Sequence, residues 1–427
     1  MTPTVTFFGT RSLGGHPWPG PTPAHRSLTA LHDIGALRIG PNIVPIATGT
    51  PFIPDELRGR CQALICRPTW MEGGKVTPAI IEQLRQPQSE FVIATLSASV
   101  SHIDQSLLSR DDITVLRSHG GNASATAELT VLLAAVALRR LTRPMTNMGF
   151  AVFSPPSAHE CESLVGKLWT VLGPGRVSCE VARRLGGLGV IQTIAYYHRD
   201  DLEAKRLQLI RDTALSLEQV VVEPQLPEDE NELREVMATY RSNGVDLVLT
   251  GDFYGALSAA DIVSLHVPLA DDTIGLIDAA ALAQMKSTAL LINMARHEVV
   301  IEADLCLALS NDDIAGYAAD VLPTPAERRS ANPFQPSVPI WRRKCWALLS
   351  GLEKTTHPNL RGHLTVDLSA ALGLLSDGSS PTGCTNVLIT PHLGGATRGA
   401  DELVATEVMQ DLYRALNIDP LSSPLGP

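Results

Sequence analysis

Within the 427-residue chain, the stretch Gly173-Pro174-Gly175-Arg176-Val177-Ser178 has a spacing suited to holding phosphates. It follows an apolar run, LWTVLG, and opens a sequence of helical character, CEVARRLGGLG. In a strand–turn–helix of this kind the first glycine permits the tight turn and the second lets backbone approach a pyrophosphate. The third position lets helix and strand pack closely. Ser178 takes that third place, a modest enlargement. The helix start then offers free N–H groups and a positive dipole end, which makes Gly173, Gly175, Arg176 and Val177 candidate dinucleotide contacts. The next strand ends Tyr196-Tyr197-His198-Arg199-Asp200-Asp201. An acidic side chain here usually binds the adenosine ribose of NAD. Tyr197 occupies that position, with His198 and Arg199 after it, and a guanidinium pairs well with a 2′-phosphate. The residues favour NADP(H). NAD(H) is the alternative, with Arg199 solvated and Asp200 or Asp201 turned back to the ribose.

The elements that must position these groups alternate between strand and helix. Compact apolar runs at residues 5–9, 63–66 and 91–96 read as buried strands, with helical spacing at 77–85. An Ala- and Leu-rich helix is expected over 122–141, with Arg139 and Arg140 near its negative end. A second series runs from residue 168 through strands at 190–197, 260–269, 289–296, 316–321 and 386–390, with a helix from near Glu302. This alternation predicts an α/β fold with open parallel sheets. Residues 201–250 read as a charged, helical insertion between strands. Residues 326–384, rich in Pro, Ser and Gly, show no period; such segments serve as lids, interface arms or partly disordered linkers.

Composition narrows the function classes. The chain is long enough for two domains with separate cores, and its 44% hydrophobic and 19% charged residues are globular values. A net charge of −11 argues against a nucleic-acid or anionic-membrane surface. Seven scattered cysteines without CxxC spacing argue against a zinc site or a disulfide framework and fit a reducing, cytoplasmic setting. The first residues lack a basic region followed by an apolar stretch, so no signal peptide is expected. No apolar run approaches the roughly 18 residues of a membrane span.

Four segments, in order, resemble the D-isomer-specific 2-hydroxyacid dehydrogenases, a family that includes phosphoglycerate dehydrogenases, glyoxylate/hydroxypyruvate reductases and formate dehydrogenases. They are GGNASATAELTVLL (120–133), ADIVSLHVPLADDTIGLI (260–277), MKSTALLINMARHEVVIEADL (285–305) and NVLITPHLGGAT (386–397). The resemblance implies two doubly wound, Rossmann-like lobes with the active site in the cleft between them. Residues 1–120 plus 392–427 would form a discontinuous substrate-binding domain. Residues 121–391 would form the dinucleotide-binding domain, with insertions at about 201–250 and 326–384. It also implies a homodimer, and cofactor contacts from His266, Val267, Pro268, Met294, Ala295, Asp320 and Gly395. For Asp320, capping a turn at a strand end is the alternative.

Hydride transfer to a small 2-oxo acid requires a cation for the carboxylate, an acid for the new alkoxide and donors that orient the substrate. The resemblance assigns the cation to Arg296, whose planar fork suits a carboxylate beside a carbonyl. It assigns the acid/base to His392, since imidazole exchanges protons near neutral pH. The family's third member, a glutamate that supports the histidine, falls on Pro325, which has neither a carboxylate nor a donor. Glu327, two residues on, is the candidate replacement; formate dehydrogenases also lack the glutamate. The family's Gly-x-Gly substrate loop is here Ser97-Ala98-Ser99, with Arg67 a further anion contact. His297 stands where a glycine usually follows the arginine, which points to a reshaped pocket. Two other readings stay open: oxidation of an unusual small anion, formate-like or phosphorus-containing, and a non-catalytic dinucleotide sensor like the family's corepressors.

Overall fold

The computed structural model of the chain describes residues 3–8, 38–39, 53–67, 75–100, 102–141, 161–198, 201–213, 215–321, 366–367, 386–390 and 392–418. It divides into two compact units, Met1–Asn122 with Thr397–Pro427, and Ala123–Ala396.

The first unit is built on a parallel sheet of β1 (Thr4–Phe8), β2 (Arg38–Ile39), β3 (Ala63–Cys66), β4 (Phe91–Thr95) and β5 (Ile113–Arg117), in the order β2-β1-β3-β4-β5. Alternate residues of β3 and β4 serve opposite faces, as strand geometry requires. Ala63, Ile65, Val92 and Ala94 meet Val404, Val408 and Leu412 of the last helix, Arg398–Ala415. Leu64, Cys66, Phe91 and Ile93 meet Ile80, Ile81 and Leu84 of helix α1 (Pro78–Leu84). Coverage of both faces explains why these strands are continuous apolar runs. Helix α2 (Gln105–Leu108) is a single turn capped by Asp104.

The second unit starts with helix α3 (Ala123–Leu138). Its strands are β6 (Leu168–Leu172), β7 (Gln192–Tyr196), β8 (Val220–Val222), β9 (Leu247–Thr250), β10 (Ile262–Leu265), β11 (Leu290–Asn293), β12 (Gly316–Ala319), β13 (Val366–Asp367) and β14 (Val387–Ile389). They lie in the order β13-β14-β12-β11-β10-β6-β7-β9-β8, parallel except for β13 against β14. Its further helices are α4 (Arg176–Leu185), α5 (Leu202–Asp212), α6 (Glu230–Ser242), α7 (Phe253–Ala259), α8 (Ala279–Gln284) and α9 (Glu302–Ser310). Helices α3, α4 and α5 cover one sheet face through Ala127, Leu133, Val181, Leu185 and Leu209. Leu233 and Met237 of α6, with residues of α7, α8 and α9, cover the other.

The charged stretch 201–250 contains more than helix. It folds as α5, β8, α6 and β9, and β9 pairs with β7 inside the sheet while β8 forms the edge. In the stretch 326–384 only β13 is described.

Candidate functional site

The sheet of the second unit changes direction at β6, which has β7 on one side and β10 on the other. Ligands of open α/β sheets bind outside the carboxyl ends of the strands at such a switch point. The glycine turn occupies this place. Gly173 has φ +91, and a Cβ there would lie 3.0 Å from both the amide nitrogen and Cα of Val267. Only glycine satisfies both conditions. Gly175 differs: a Cβ there would find nothing nearer than the Gly173 carbonyl oxygen, 4.0 Å away, so the space beside it is open. Ser178 is fully buried and donates its hydroxyl proton to the Gly173 carbonyl at 2.8 Å. A serine is accommodated because it braces the turn from inside.

Helix α4 has no side-chain cap and no acidic residue in its first turn. Elsewhere in the unit, Asp201, Asp229, Asp252 and Asp278 cap α5, α6, α7 and α8, and α9 carries Glu302 and Asp304 in its first turn. Those carboxylates neutralise the positive helix ends. Leaving α4 bare, beside open space at Gly175, fits a bound pyrophosphate.

At the end of β7, Lys205 Nζ lies 5.1 Å from the centre of the Tyr197 ring. His198 Nε2 is 2.9 Å from Asp272 Oδ2, which joins the β7 end to the loop after β10. Arg199 lies outside the described residues. At the end of β10, the His266 amide donates to the Leu172 carbonyl at 2.8 Å, next to the glycine turn. Burial pushes its imidazole pKa down to about 3. Val267 is the residue packed against Gly173, and the Pro268 carbonyl accepts from Thr273 Oγ1 at 2.7 Å.

Arg296 follows β11. Asn293, fully buried, accepts from the Ala295 amide at 3.0 Å and donates to the Arg296 carbonyl at 2.9 Å, which fixes the turn. The Met294 amide continues the ladder to the Leu265 carbonyl. The half-buried Arg296 guanidinium donates from Nη1 to the Ala295 carbonyl at 2.7 Å. Beside it, His297 Nδ1 is 2.9 Å from Glu298 Oε2.

Asp320 directly follows β12 and is 3% exposed. Its Oδ1 accepts from the Thr390 hydroxyl at 2.6 Å and the Leu393 amide at 2.7 Å, and its Oδ2 from the Gly394 amide at 2.7 Å. This carboxylate therefore ties down the loop that carries His392 and Gly395. His392 is exposed and has φ +61, a left-handed conformation that costs a side-chain-bearing residue energy. Pro325 and Glu327 lie outside the described residues.

Because β6, β7, β10, β11, β12 and β14 are parallel, their carboxyl ends share one sheet edge. In the order of the strands, that edge carries His392, Asp320, Arg296, His266, Gly173 and Tyr197. In the first unit, Arg67 Nη2 is 2.5 Å from Asp401 Oδ1 of the last helix. After β4, Ser97 Oγ accepts from the Ser99 amide at 3.1 Å, with Ala98 exposed between them. No motif in the sequence marks Asn293, or the buried pair of Trp169 Nε1 and Ser264 Oγ at 2.8 Å. A lone serine in the apolar strand IVSL was the one available signal. Among the described residues, no helix is long and apolar enough to cross a membrane.

A doubly wound parallel sheet with a bare helix start at its switch point is an architecture that binds dinucleotides beyond the carboxyl ends of its strands. The family description "D-isomer specific 2-hydroxyacid dehydrogenase, NAD binding domain" matches residues 237–349. The chain is 26% identical over 366 residues to D-3-phosphoglycerate dehydrogenase 2, chloroplastic, of Arabidopsis thaliana; the match takes in 85% of this chain and 44% of the relative. The chain spans less than half the length of the curated relatives it matches. Among solved structures, it is similar to a glyoxylate reductase from Paecilomyes thermophila, with TM-score 0.60, 17% identity, and 97% and 96% of the two chains covered. It is also similar to a D-lactate dehydrogenase from Aquifex aeolicus complexed with NAD and lactic acid, with TM-score 0.58, 18% identity and 99% of each chain covered. The family description, the curated relatives and the solved structures agree in likening the chain to the D-isomer-specific 2-hydroxyacid dehydrogenases.

Proposed function

We propose that the protein is an NADP(H)-preferring oxidoreductase that reduces a small 2-oxo acid to the 2-hydroxy acid. The observation that carries this reading is the shared sheet edge: an anion-ready glycine turn, an arginine and a histidine stand at the carboxyl ends of alternate parallel strands of one sheet. The backbone at Gly173, Gly175, Arg176 and Val177 would hold the pyrophosphate. Val267, Pro268, Met294, Ala295 and Gly395 would border the nicotinamide half. The cofactor, when bound, supplies the hydride.

The chain's own groups do the rest. Arg296 binds the substrate carboxylate and draws electron density from the adjacent carbonyl oxygen, while His392 donates its imidazolium proton to that oxygen as the alkoxide forms. The guanidinium is permanently charged, so anion binding does not depend on its protonation. Arg67, Ser97, Ala98 and Ser99 would select among acids, and Glu327 would assist His392 in place of the proline at 325. Tyr197 at the usual acidic position, with His198, Arg199 and Lys205 nearby in sequence, favours a 2′-phosphate on the ribose.

Oxidation of NADPH with a panel of 2-oxo acids tests the reading. Arg296→Ala should cut kcat/KM by about 10²–10³ without changing NADPH affinity; turnover that survives the substitution refutes the assignment. Tyr197→Asp should move the preference toward NADH by about tenfold or more, read from dissociation constants, as a carboxylate gains the ribose hydroxyls and repels the phosphate.

A further inference from the structure

Three polar side chains on one face of the second unit's sheet form a relay beside the glycine turn. Trp169 lies in β6, and Ser264 and His266 lie two residues apart at the end of β10, hence on the same face. That is the face covered by α3 and α4, where Trp169 packs with Ala182 and Leu185. Trp169 Nε1 is 2.8 Å from Ser264 Oγ, and Ser264 Oγ is 3.0 Å from His266 Nε2. Trp169 and Ser264 are fully buried.

The proton positions follow from satisfying every group. An indole N–H only donates, so Ser264 Oγ accepts it. The serine's own proton then needs an acceptor, and His266 Nε2 is the one in reach among the described residues. Were Nε2 protonated and donating to Ser264, the hydroxyl proton would be buried without a partner, at a cost of about 1–3 kcal/mol. Nε2 therefore accepts, and the single ring proton sits on Nδ1. Burial keeps the ring neutral far below neutral pH. Nδ1 has no partner among the described residues, and unlike Nδ1 of His102 it is not sealed from solvent.

We propose that Trp169 and Ser264 are positioning residues that lock His266 as a neutral Nδ1–H donor for an acceptor oxygen of the bound dinucleotide. The lock itself is a property of the chain alone. Its ligand half rests on the dinucleotide reading above, to which it adds a donor that carries no charge and so adds no repulsion toward an oxidised nicotinamide ring.

The test uses the full chain labelled with ¹⁵N-histidine, first without cofactor. Long-range ¹H–¹⁵N correlation spectra, with the His266 signal assigned by its loss in His266→Gln, should show the Nδ1–H tautomer, unchanged between about pH 5.5 and 8.5. Ser264→Ala should release the ring toward the commoner Nε2–H form; Trp169→Phe is the second variant if the first does not fold. An Nε2–H ring in the unaltered protein, a ring that titrates in this range, or an unchanged tautomer in both variants overturns the lock. Dissociation constants for NADPH then probe the ligand half. Ser264→Ala and His266→Gln should each weaken binding about three- to tenfold, the worth of one hydrogen bond. Unchanged NADPH affinity in both overturns the donor role. A protein that shows the expected tautomer yet binds neither NADPH nor NADH refutes the dinucleotide reading and leaves the lock standing.

Discussion

Buried His102 and half-buried His266 make acid sensitivity a property of single residues. His102, in the first unit, is 7% exposed, has Thr95 Oγ1 2.8 Å from Nε2 and carries an unpartnered Nδ1. Desolvation lowers its pKa to about 4, as it lowers that of His266 to about 3. An unfolded histidine takes up its proton near about pH 6.5. Below that pH the unfolded chain binds protons that the folded chain refuses, so stability falls as pH drops from about 6.5 toward the folded values. Between about pH 7 and 5 the loss from His102 alone should approach about 2 kcal/mol. This window lies above the ordinary carboxylate range, so aspartates and glutamates contribute little to it. Urea unfolding of the protein and of His102→Gln across this window is the measurement; the variant should show the shallower decline in its midpoint. Equal slopes would mean that the buried ring is protonated in the folded state.

At the scale of elements, the start of α4 separates two uses of glycine. Gly173→Ala forces a Cβ to within 3.0 Å of Val267 backbone at a positive φ, which should cost about 1–3 kcal/mol of stability as well as cofactor affinity. Gly175→Ala meets nothing in the protein nearer than 4.0 Å. It should leave the melting temperature within a degree or two, yet weaken NADPH binding by about tenfold or more, because the methyl takes phosphate space. Thermal melts with and without NADPH distinguish the cases, and equal loss of stability in both variants would mean that the open space at Gly175 is not there. The same elements show what a sequence makes legible. Strands β6, β10 and β11 are buried on both faces, so their apolar runs stand out, and glycines flank the turn that follows β6. Strand β9 is equally buried, but LVLT is enclosed by charged helices whose composition dominates the stretch 201–250. Strand β5 buries only Ile113 among its five residues and leaves the rest half-buried or exposed. Arg296 and His392 stood out through their segments. The left-handed backbone of His392 did not, because nothing in its residue type demands it. Nor did the relay through Ser264, since its partners Trp169 and His266 meet only when β6 and β10 pair.

At the scale of the whole molecule, the hydrophobic clusters keep to their units. One pair of clusters draws on β1, β3, β4, α1 and the last helix, and the others on residues of the second unit alone. Two units with separate cores are expected to unfold in two transitions. Val408 is the position for a test: it is fully buried on the last helix, in the cluster that holds β1, β3 and β4. Aspartate there must stay charged in an apolar core or take up a proton, and either course costs several kcal/mol. Val408→Asp should therefore lower one unfolding transition by about 10 °C, given about 2–4 °C per kcal/mol for a domain of roughly 150 residues. The second transition should stay in place. NADPH should still raise it, because a ligand stabilises the unit that holds its site by mass action. Calorimetry of the unaltered protein and the variant, each with and without NADPH, decides the matter. A single transition shifted as a whole would show that the two cores are coupled. Loss of the NADPH-induced rise would place the dinucleotide's support partly in the unit that contains the last helix.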